Sequence, residues 1–257
     1  MPHFSPKPLR PVNQTRDALM PAHTSPGSAA AVRAVAAYVP DPAALDRPVL
    51  VAVDGGDGVG KTWFADALAH HLASRVGPSP GPVPREGYAV VRASIDDFHH
   101  PRAYRHAIGR TGPTVWERSF DIAAVRRELL DPWRSGAGAA YRTRWHDLAS
   151  DAFIDEPPER VPERGVLVFD GVFAQRPELR DAWDLVVYVD APDEVRVARM
   201  AVRDGGSPDL THPDQARYLD AQRFYRELVD PRARADLVVD NTDLAHPTVL
   251  RIAARHT

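Results

Sequence analysis

The chain has no cysteine, and this absence excludes disulfide bonds, thiolate catalysis and cysteine-ligated metal sites. Lysine is also rare, because only Lys7 and Lys61 occur among the 32 basic residues. No segment approaches the roughly 20 apolar residues of a membrane span, and the N-terminus has no apolar signal core. The formal net charge of −3 argues against the basic surface that nucleic-acid binding usually requires. These absences predict a cytoplasmic protein that binds neither nucleic acid nor a membrane.

The composition that remains is that of a globular protein, with 44% apolar and 26% charged residues over 257 positions. Proline is scattered through residues 1–27, which we expect to form a disordered or loosely attached tail. Residues 28–47 are predicted to hold a short helix and a linker. Residues 48–257 then form the main domain, with a lid near residues 203–212.

Short, continuously apolar runs alternate with helical patterns along the main domain. The predicted strands are Val49–Val53, Tyr88–Ile95, Val166–Phe169, Leu185–Val189 and Leu237–Val239. The predicted helices are Lys61–Arg75, Ile122–Leu130, Asp193–Val202 and Pro213–Val229. This order predicts an α/β fold with about five parallel strands, helices on both faces and a ligand at the carboxyl ends of the strands.

The most specific motif follows the first predicted strand. Its eight residues are Gly55-Gly56-Asp57-Gly58-Val59-Gly60-Lys61-Thr62, a full match to G-x-x-x-x-G-K-[ST] between a strand and a helix. Glycines allow successive backbone N–H groups to surround phosphate oxygens, and the start of the helix adds partial positive charge. Lys61 can reach the β- and γ-phosphates, and the Thr62 hydroxyl can contact Mg²⁺. The motif predicts a P-loop NTPase fold that binds ATP with Mg²⁺.

Two carboxylates follow other predicted strands and can serve phosphoryl transfer. Asp96 comes just after the second strand and is our candidate base for an acceptor hydroxyl, whereas Asp97 is as easily a capping residue. Asp170 ends the third strand and precedes a glycine, which is the pattern of a Walker-B carboxylate that holds Mg²⁺ directly or through water.

With these segments the chain resembles the uridine kinase-like P-loop kinases, whose relatives include phosphoribulokinase, pantothenate kinase and nicotinamide riboside kinase. The resemblance runs from Val49 to about Asn241. It rests on the segments Gly55–Thr62, Ile95–Phe98, Ser119–Asp121, Tyr141–Asp147, Phe169–Phe173 and the late arrangement Gln222, Tyr225, Pro231 and Asp236.

The resemblance implies a transfer from ATP to a primary hydroxyl, such as the 5′-hydroxyl of a nucleoside. It implies that Asp96 is the base and that Tyr141 and His146 contact the nucleoside. Three positions depart from the pattern of the family, since Asp170 stands where a glutamate is usual, Arg142 where an anion is usual and Leu148 where an arginine is usual.

Arginines are the other candidates for binding charged groups. The lid arginines Arg199 and Arg203 are expected to offset charge on the transferring phosphoryl group. Arg144 is a candidate for acceptor binding. Together with its neighbours it would suit a phosphorylated or carboxylated acceptor, and these neighbours are Arg102, Arg105, Arg110 and Arg142.

The predicted function is therefore an ATP-dependent small-molecule kinase of the uridine or cytidine type. A kinase for nicotinamide riboside, pantothenate or another hydroxyl metabolite is the first alternative, and a regulatory ATP-binding protein is the second. A GTPase is excluded, because its Asn-Lys-x-Asp segment needs a second lysine after Lys7. A homo-oligomer stays open.

Overall fold

The computed structural model describes residues 25–74, 88–109 and 111–252. Most of the predicted tail and Arg110 lie outside these residues. The strands are β1 (Val49–Gly55), β2 (Ala89–Ser94), β3 (Ala140–Tyr141), β4 (His146–Asp147), β5 (Ala152–Phe153), β6 (Glu159–Arg160), β7 (Gly165–Gly171), β8 (Leu185–Asp190), β9 (Leu237–Asp240) and β10 (Thr248–Ile252). The α-helices are α1 (Pro26–Ala36), α2 (Pro42–Leu45), α3 (Lys61–Ser74), α4 (Arg102–His106), α5 (Gly112–Arg118), α6 (Ile122–Ala124), α7 (Asp131–Ser135), α8 (Asp193–Asp204), α9 (Pro213–Val229) and α10 (Pro231–Arg234).

Six strands form one sheet in the order β10-β9-β8-β1-β7-β2. The pairs from β2 to β9 are parallel, and β10 joins β9 antiparallel. β7 and β2 lie on one side of β1 in the sheet, and the later strands β8 and β9 lie on the other side. β1 is therefore the point where the strand order reverses, and ligands of such sheets bind beyond the carboxyl ends of the strands at that point.

The sheet has an apolar core on each face, because the side chains of its strands alternate between faces. Leu50 and Ala52 of β1 belong to one buried cluster. Val49, Val51 and Val53 belong to the other, which also contains the inner side of α3 and of α1. Burial on both faces explains why the strands are continuously apolar in the sequence.

The five predicted strands are confirmed, with ends that differ by at most two residues. The sixth strand, β10, was not predicted. It is an edge strand with a register shift between Val249 and Arg251, and Leu250 is half exposed. An irregular edge strand has little of the apolar pattern that reveals buried strands.

The predicted helix at Ile122–Leu130 is longer and irregular. It begins as α6, widens into a π-helical turn over Val125–Leu130 and continues as α7. Pro132 lies in its last part and has no N–H to donate to the Glu128 carbonyl four residues earlier. That carbonyl accepts instead from the Arg142 amide at 2.7 Å, so the irregular turn connects the helix to β3.

The long segment between β2 and β7 carries the helices α4 to α7 and two small hairpins, β3 with β6 and β4 with β5. The end of α5 returns to the sheet edge, because the Asp121 amide donates to the Phe98 carbonyl at 2.8 Å. In the described ranges, no helix has both the length and the apolar content that crossing a membrane would need.

Candidate functional site

The phosphate loop lies at the carboxyl end of the central strand. β1 ends at Gly55 and α3 begins at Lys61, so the loop is framed by a strand and a helix. Gly58 has a φ of +76°, and a Cβ added there would lie 2.4 Å from the Arg196 carbonyl oxygen of α8. Glycine is therefore required at position 58 both by the backbone angle and by the close approach of α8.

The side chain of Lys61 reaches back across this loop. Its Nζ lies 3.4 Å from the Gly56 carbonyl oxygen. Its charge also acts on the carboxylate of Asp170. The ammonium group therefore lies at the same sheet edge as the strand-terminal carboxylate.

Thr62 and Asp170 meet directly. The Thr62 hydroxyl donates to Asp170 Oδ2 at 2.6 Å, although 108 positions separate them in the sequence. The contact forms because Asp170 lies opposite Val53 in the parallel pairing of β1 with β7. With its proton directed to Asp170, the Thr62 oxygen keeps lone pairs for a cation on the loop side.

These oxygens suit Mg²⁺, a hard cation that commonly binds one or two protein oxygens together with waters and nucleotide phosphates. Within the described ranges, no group of three or more His, Asp or Glu side chains forms a closed metal cage. Thr62 could contact the ion, and Asp170 could hold one of its waters.

The second oxygen of Asp170 is bound by a residue that the motif analysis missed. Arg92 Nη2 donates to Asp170 Oδ1 at 2.8 Å, and Arg92 Nε donates to Asp66 of α3 at 2.8 Å. Burial raises the pKa of Asp170, but the charge of Arg92 and the hydrogen bond from Thr62 outweigh it and lower the pKa overall. Asp170 is therefore an ionised carboxylate at neutral pH.

Asp96 lies on the short 3₁₀ turn Ile95–Phe98 that follows β2, and its side chain is exposed to solvent. The Ser94 hydroxyl caps the turn by accepting from the Asp96 amide at 3.4 Å. The neighbouring Asp97 is turned toward Arg144, with 3.6 Å between the Arg144 Nε and an Asp97 carboxylate oxygen. The two adjacent carboxylates thus have different surroundings, and Asp96 is the one exposed to solvent.

His99 covers the same turn. Its Nδ1 lies 2.8 Å from the Asp96 carbonyl oxygen, and its ring packs on Phe120 at 4.5 Å between centroids. Burial lowers the pKa of His99, and the charge of Arg105 lowers it further against the opposing effect of Asp96. Because a carbonyl can only accept, Nδ1 carries the proton and Nε2 of the neutral ring is an acceptor.

The two residues expected to contact a nucleoside have different surroundings. His146 is fully buried on β4, packs on Phe153 and has its Nε2 3.4 Å from an Asp151 carboxylate oxygen. It lies near the Asp96 turn, because the amide of the adjacent Trp145 donates to the Asp97 carbonyl at 2.9 Å. Tyr141 is also buried, but its hydroxyl donates to Glu159 at 3.1 Å.

Arg142 and Arg144 have acidic partners, whereas Arg105 bonds to a carbonyl oxygen. Arg142 lies 3.1 Å from a Glu128 carboxylate oxygen, and Arg144 lies 3.2 Å from one of Glu156. Arg105 donates through Nε to the His100 carbonyl at 2.8 Å. The cation at position 142, which departs from the family pattern, thus has its counter-charge inside the chain.

The arginines of α8 differ in what they contact. Arg199 Nη2 donates to the carbonyl oxygens of Asn241 and Thr242, both at 2.9 Å, and the Asn241 side chain donates to the Val59 carbonyl of the phosphate loop at 2.7 Å. Arg203 pairs with Asp204 at 2.7 Å. The hydrogen bond with Asp204 raises the pKa of Arg203, and the charges of Asp57 and Asp96 add to this effect. The carboxylates of the phosphate loop and of the Asp96 turn therefore both influence Arg203.

Asp54 was also missed, although it directly precedes the loop. Its fully buried carboxylate accepts from the Tyr225 hydroxyl and from the Gln175 side chain. The available signal was the same as for Arg92, a single charged residue inside an otherwise apolar strand, but the sequence does not show which distant group would meet it.

A mostly parallel sheet with a phosphate loop after its central strand is the arrangement of P-loop kinases, the class that the solved neighbours share. One neighbour is described as a possible uridine kinase from Bacillus stearothermophilus, with a TM-score of 0.57, 23% identity and coverage of 75% of this chain and 88% of that one. Another is D-glycerate 3-kinase from Cryptococcus neoformans, with a TM-score of 0.51, 13% identity and coverage of 86% and 99%. At these identities the two structures establish the fold.

Relatives found by sequence indicate which group of P-loop kinases this chain resembles. A uridine kinase of Lactiplantibacillus plantarum is 28% identical over 201 residues, which cover 75% of this chain and 87% of the relative. A uridine kinase of Ligilactobacillus salivarius is 25% identical over 203 residues, covering 76% and 85%. No family model matches the chain. The resemblance to the uridine kinase-like P-loop kinases is thereby confirmed, and it supports a small-molecule kinase.

Proposed function

We propose that this protein transfers the γ-phosphoryl group of ATP to a hydroxyl group of a small molecule, with the 5′-hydroxyl of uridine or cytidine as the first candidate. The curated relatives named uridine kinase support this acceptor class. The observation that carries the proposal is the 2.6 Å hydrogen bond from Thr62 to Asp170, because it joins the phosphate loop to a strand-terminal carboxylate.

The loop from Gly55 to Thr62 holds the triphosphate through backbone N–H groups and the first turn of α3. Lys61 supplies the positive charge beside the β- and γ-phosphates. Thr62 and Asp170 would hold Mg²⁺, which when bound offsets the charge of the phosphate oxygens.

Asp96 acts as the base. Its exposed carboxylate accepts the proton of the acceptor hydroxyl, the hydroxyl oxygen bonds to the γ-phosphorus, and the bond from that phosphorus to the β–γ bridging oxygen breaks to release ADP. His99 supports the turn through its contact with the Asp96 carbonyl at 2.8 Å.

Arg203 is the better supported of the two predicted lid arginines for stabilising the transferring group. The charge of Asp57, in the phosphate loop, and the charge of the proposed base Asp96 both act on it. Arg199 bonds instead to the backbone of Asn241 and Thr242, and we propose that it positions this loop beside the nucleotide. The segment near residues 203–212 then serves as the lid that excludes water.

For the acceptor itself, His146 is favoured over Tyr141 and Arg144. His146 follows Trp145, whose amide donates to the Asp97 carbonyl at 2.9 Å, so it lies near the Asp96 turn. Its Nε2 is 3.4 Å from an Asp151 carboxylate oxygen, but among the described residues neither ring nitrogen makes a hydrogen bond. Tyr141 and Arg144 already bond to acidic side chains. Another hydroxyl metabolite, such as nicotinamide riboside or pantothenate, is the second candidate, because Tyr141, one of the two expected nucleoside contacts, already bonds to Glu159.

The test is ATP consumption by the purified protein with Mg²⁺ and a panel of uridine, cytidine, other nucleosides, nicotinamide riboside and pantothenate. We expect turnover with one acceptor class. Asp96→Asn should lower kcat by about 10²- to 10⁴-fold while ATP affinity stays within about twofold, because the base is lost and the phosphate loop is intact.

Asp97→Asn is the matched control, since Asp97 is adjacent but faces Arg144, and it should keep most of the activity. Equal activity of Asp96→Asn and wild type would reject Asp96 as the base. ATP binding without turnover of any acceptor would favour the alternative of a regulatory ATP-binding protein.

A further inference from the structure

A buried carboxylate without a cationic partner lies directly beneath the phosphate loop. Asp54 is fully buried near the end of β1, and the salt bridges of the described residues include none to it. Its Oδ1 accepts from the Gly55 amide at 2.8 Å and the Ala174 amide at 3.4 Å. Its Oδ2 accepts from the Tyr225 hydroxyl at 2.5 Å and from Gln175 Nε2 at 3.0 Å. Four donors thus replace the cation that a buried carboxylate usually needs.

The four donors come from three functional parts of the chain. Gly55 begins the phosphate loop, and Tyr225 lies on α9, the helix that follows the proposed lid. Ala174 and Gln175 belong to the turn after Asp170, which is itself under constraint because the buried Phe173 before them has a φ of +64°.

The turn and the helix are also bonded to each other. The backbone amide of Gln175 donates to the Tyr225 hydroxyl at 3.0 Å. The Gln175 side chain donates to the Pro231 carbonyl at 2.9 Å. The Tyr225 hydroxyl therefore accepts from the turn while it donates to Asp54, so its place is determined from both sides.

Helix α9 in turn supports the side of the site where the acceptor is proposed to bind. It packs closely on α5, and Gly112 of α5 shows how closely: a Cβ added there would lie 2.6 Å from the Asp220 Cβ of α9. Trp116 of α5 packs against the Tyr225 ring at 5.6 Å and against Phe173 at 5.0 Å between centroids. The end of α5 then returns to the Asp96 turn through the bond from the His100 amide to the Ser119 carbonyl at 3.0 Å.

We propose that Asp54 and Tyr225 are a positioning pair that sets the distance between the phosphate loop and the acceptor side of the site. The inference rests on the proposed kinase function. One end of the pair is attached to the loop that holds the donor phosphates, and the other to the helix against which α5 and the Asp96 turn are built. Phosphoryl transfer needs donor and acceptor in line at contact distance, and a displacement of about 1 Å can lower turnover about 100-fold.

Tyr225→Phe tests the pair, because it removes only the hydroxyl. The Gly55 amide keeps its bond to Oδ1, so we expect ATP affinity, measured by calorimetry, to stay within about twofold of wild type. We expect kcat to fall at least tenfold at a temperature well below the melting point, because the acceptor side is no longer held to the loop.

Tyr188→Phe is the matched control. Tyr188 is buried and lies opposite Asp54 in the pairing of β1 with β8, but the described hydrogen bonds include none from its hydroxyl to Asp54. The control should leave both kcat and ATP affinity near wild type. Unchanged kcat in Tyr225→Phe, with or without a lower melting temperature, would reduce Tyr225 to a structural role and overturn the proposal.

Asp54→Asn provides a second measurement. All four partners of the carboxylate donate, so the amide nitrogen of asparagine would face a donor, and kcat should fall further than in Tyr225→Phe. An asparagine variant that folds and keeps wild-type kcat also overturns the proposal; if it does not fold, Tyr225→Phe decides. A wild-type protein that phosphorylates no acceptor overturns the kinase function itself, whereas the ratio of variant to wild-type kcat tests the pair.

Discussion

At the scale of single residues, the strand-terminal carboxylate depends on its partners. Asp170 stands where the resembling family usually has glutamate, and its shorter side chain is held between Thr62 and Arg92. Arg92 is itself mostly buried, and it donates to the Val168 carbonyl at 2.8 Å as well as to Asp66. The arginine thus supplies a positive charge that stabilises the fully buried Asp170 carboxylate.

Arg92→Met should therefore destabilise the protein by about 3 kcal/mol, because it keeps the length of the side chain but leaves Asp170 buried and unpaired. Urea unfolding followed by circular dichroism measures this. Asp66→Asn is the control, since that carboxylate is half exposed and its loss should cost less than about 1 kcal/mol. Equal losses of unfolding free energy in the two variants would mean that the contact of Arg92 with Asp170 stabilises the fold no more than its contact with Asp66.

At the same scale, Lys61→Ala should impair both the binding of ATP and the transfer of its γ-phosphoryl group. The ammonium group lies 3.4 Å from the Gly56 carbonyl oxygen and would contact phosphate oxygens in both the ground state and the transition state. We expect weaker ATP binding by calorimetry and at least a tenfold lower kcat in the coupled assay. Unaltered ATP affinity would contradict the assignment of this loop as the triphosphate site.

At the scale of elements, the phosphate loop and α8 are one packing unit. A Cβ on Gly56 would lie 1.6 Å from Arg196 Nη1, and one on Gly58 would meet the Arg196 backbone. Arg196 forms an ion pair with Asp193 at 2.8 Å, and this pair opposes displacement of the guanidinium by a side chain at position 56. The helix that leads to the proposed lid is therefore in contact with the loop that holds the nucleotide.

Gly58→Ala should push α8 away from the loop, because the atom in its path belongs to the backbone and the φ of +76° disfavours alanine. We expect ATP affinity to fall about tenfold or more, together with a lower melting temperature. Gly206→Ala, whose Cβ would approach its nearest neighbour only to 3.7 Å, should behave like wild type. A Gly58→Ala protein with normal affinity would show that the loop and α8 move independently.

At the scale of the whole molecule, Asp184 connects regions that are far apart in the chain. Its carboxylate accepts from Arg47 at 2.8 Å, from the Leu50 amide at 2.9 Å and from Arg134 at 2.9 Å. Burial raises the pKa of Asp184, but the Arg47 hydrogen bond and the other partners lower it overall. One ionised side chain thus holds the segment before β1, the start of β1 and α7 together.

The stabilisation from Asp184 should depend on pH in a defined direction. A carboxyl whose folded pKa lies below the unfolded value stabilises the fold above the unfolded pKa, and this contribution is lost as pH falls through the folded pKa. The difference in unfolding free energy between wild type and Asp184→Asn should be constant above about pH 5 and shrink below about pH 4. Urea titrations across this range measure it, and a difference that persists unchanged at pH 3 would contradict the role of the ionised carboxylate.

Much of this protein follows from local sequence. The phosphate loop, the two strand-terminal carboxylates and the five parallel strands could be predicted, because each depends on glycine geometry or on apolar runs within a few neighbouring residues. The order of helices and strands was then enough to predict which sheet edge carries the site.

Only the tertiary structure decided which side chains meet across that edge. Arg92 and Asp170 are 78 positions apart, and Asp54 and Tyr225 are 171 positions apart. It also separated Arg203, which the charges of Asp57 and Asp96 influence, from Arg199, which bonds to the backbone of Asn241. A charged residue inside an apolar strand reveals that it needs a partner, but the partner is set by strand pairing and helix packing over long sequence distances, which no local pattern encodes.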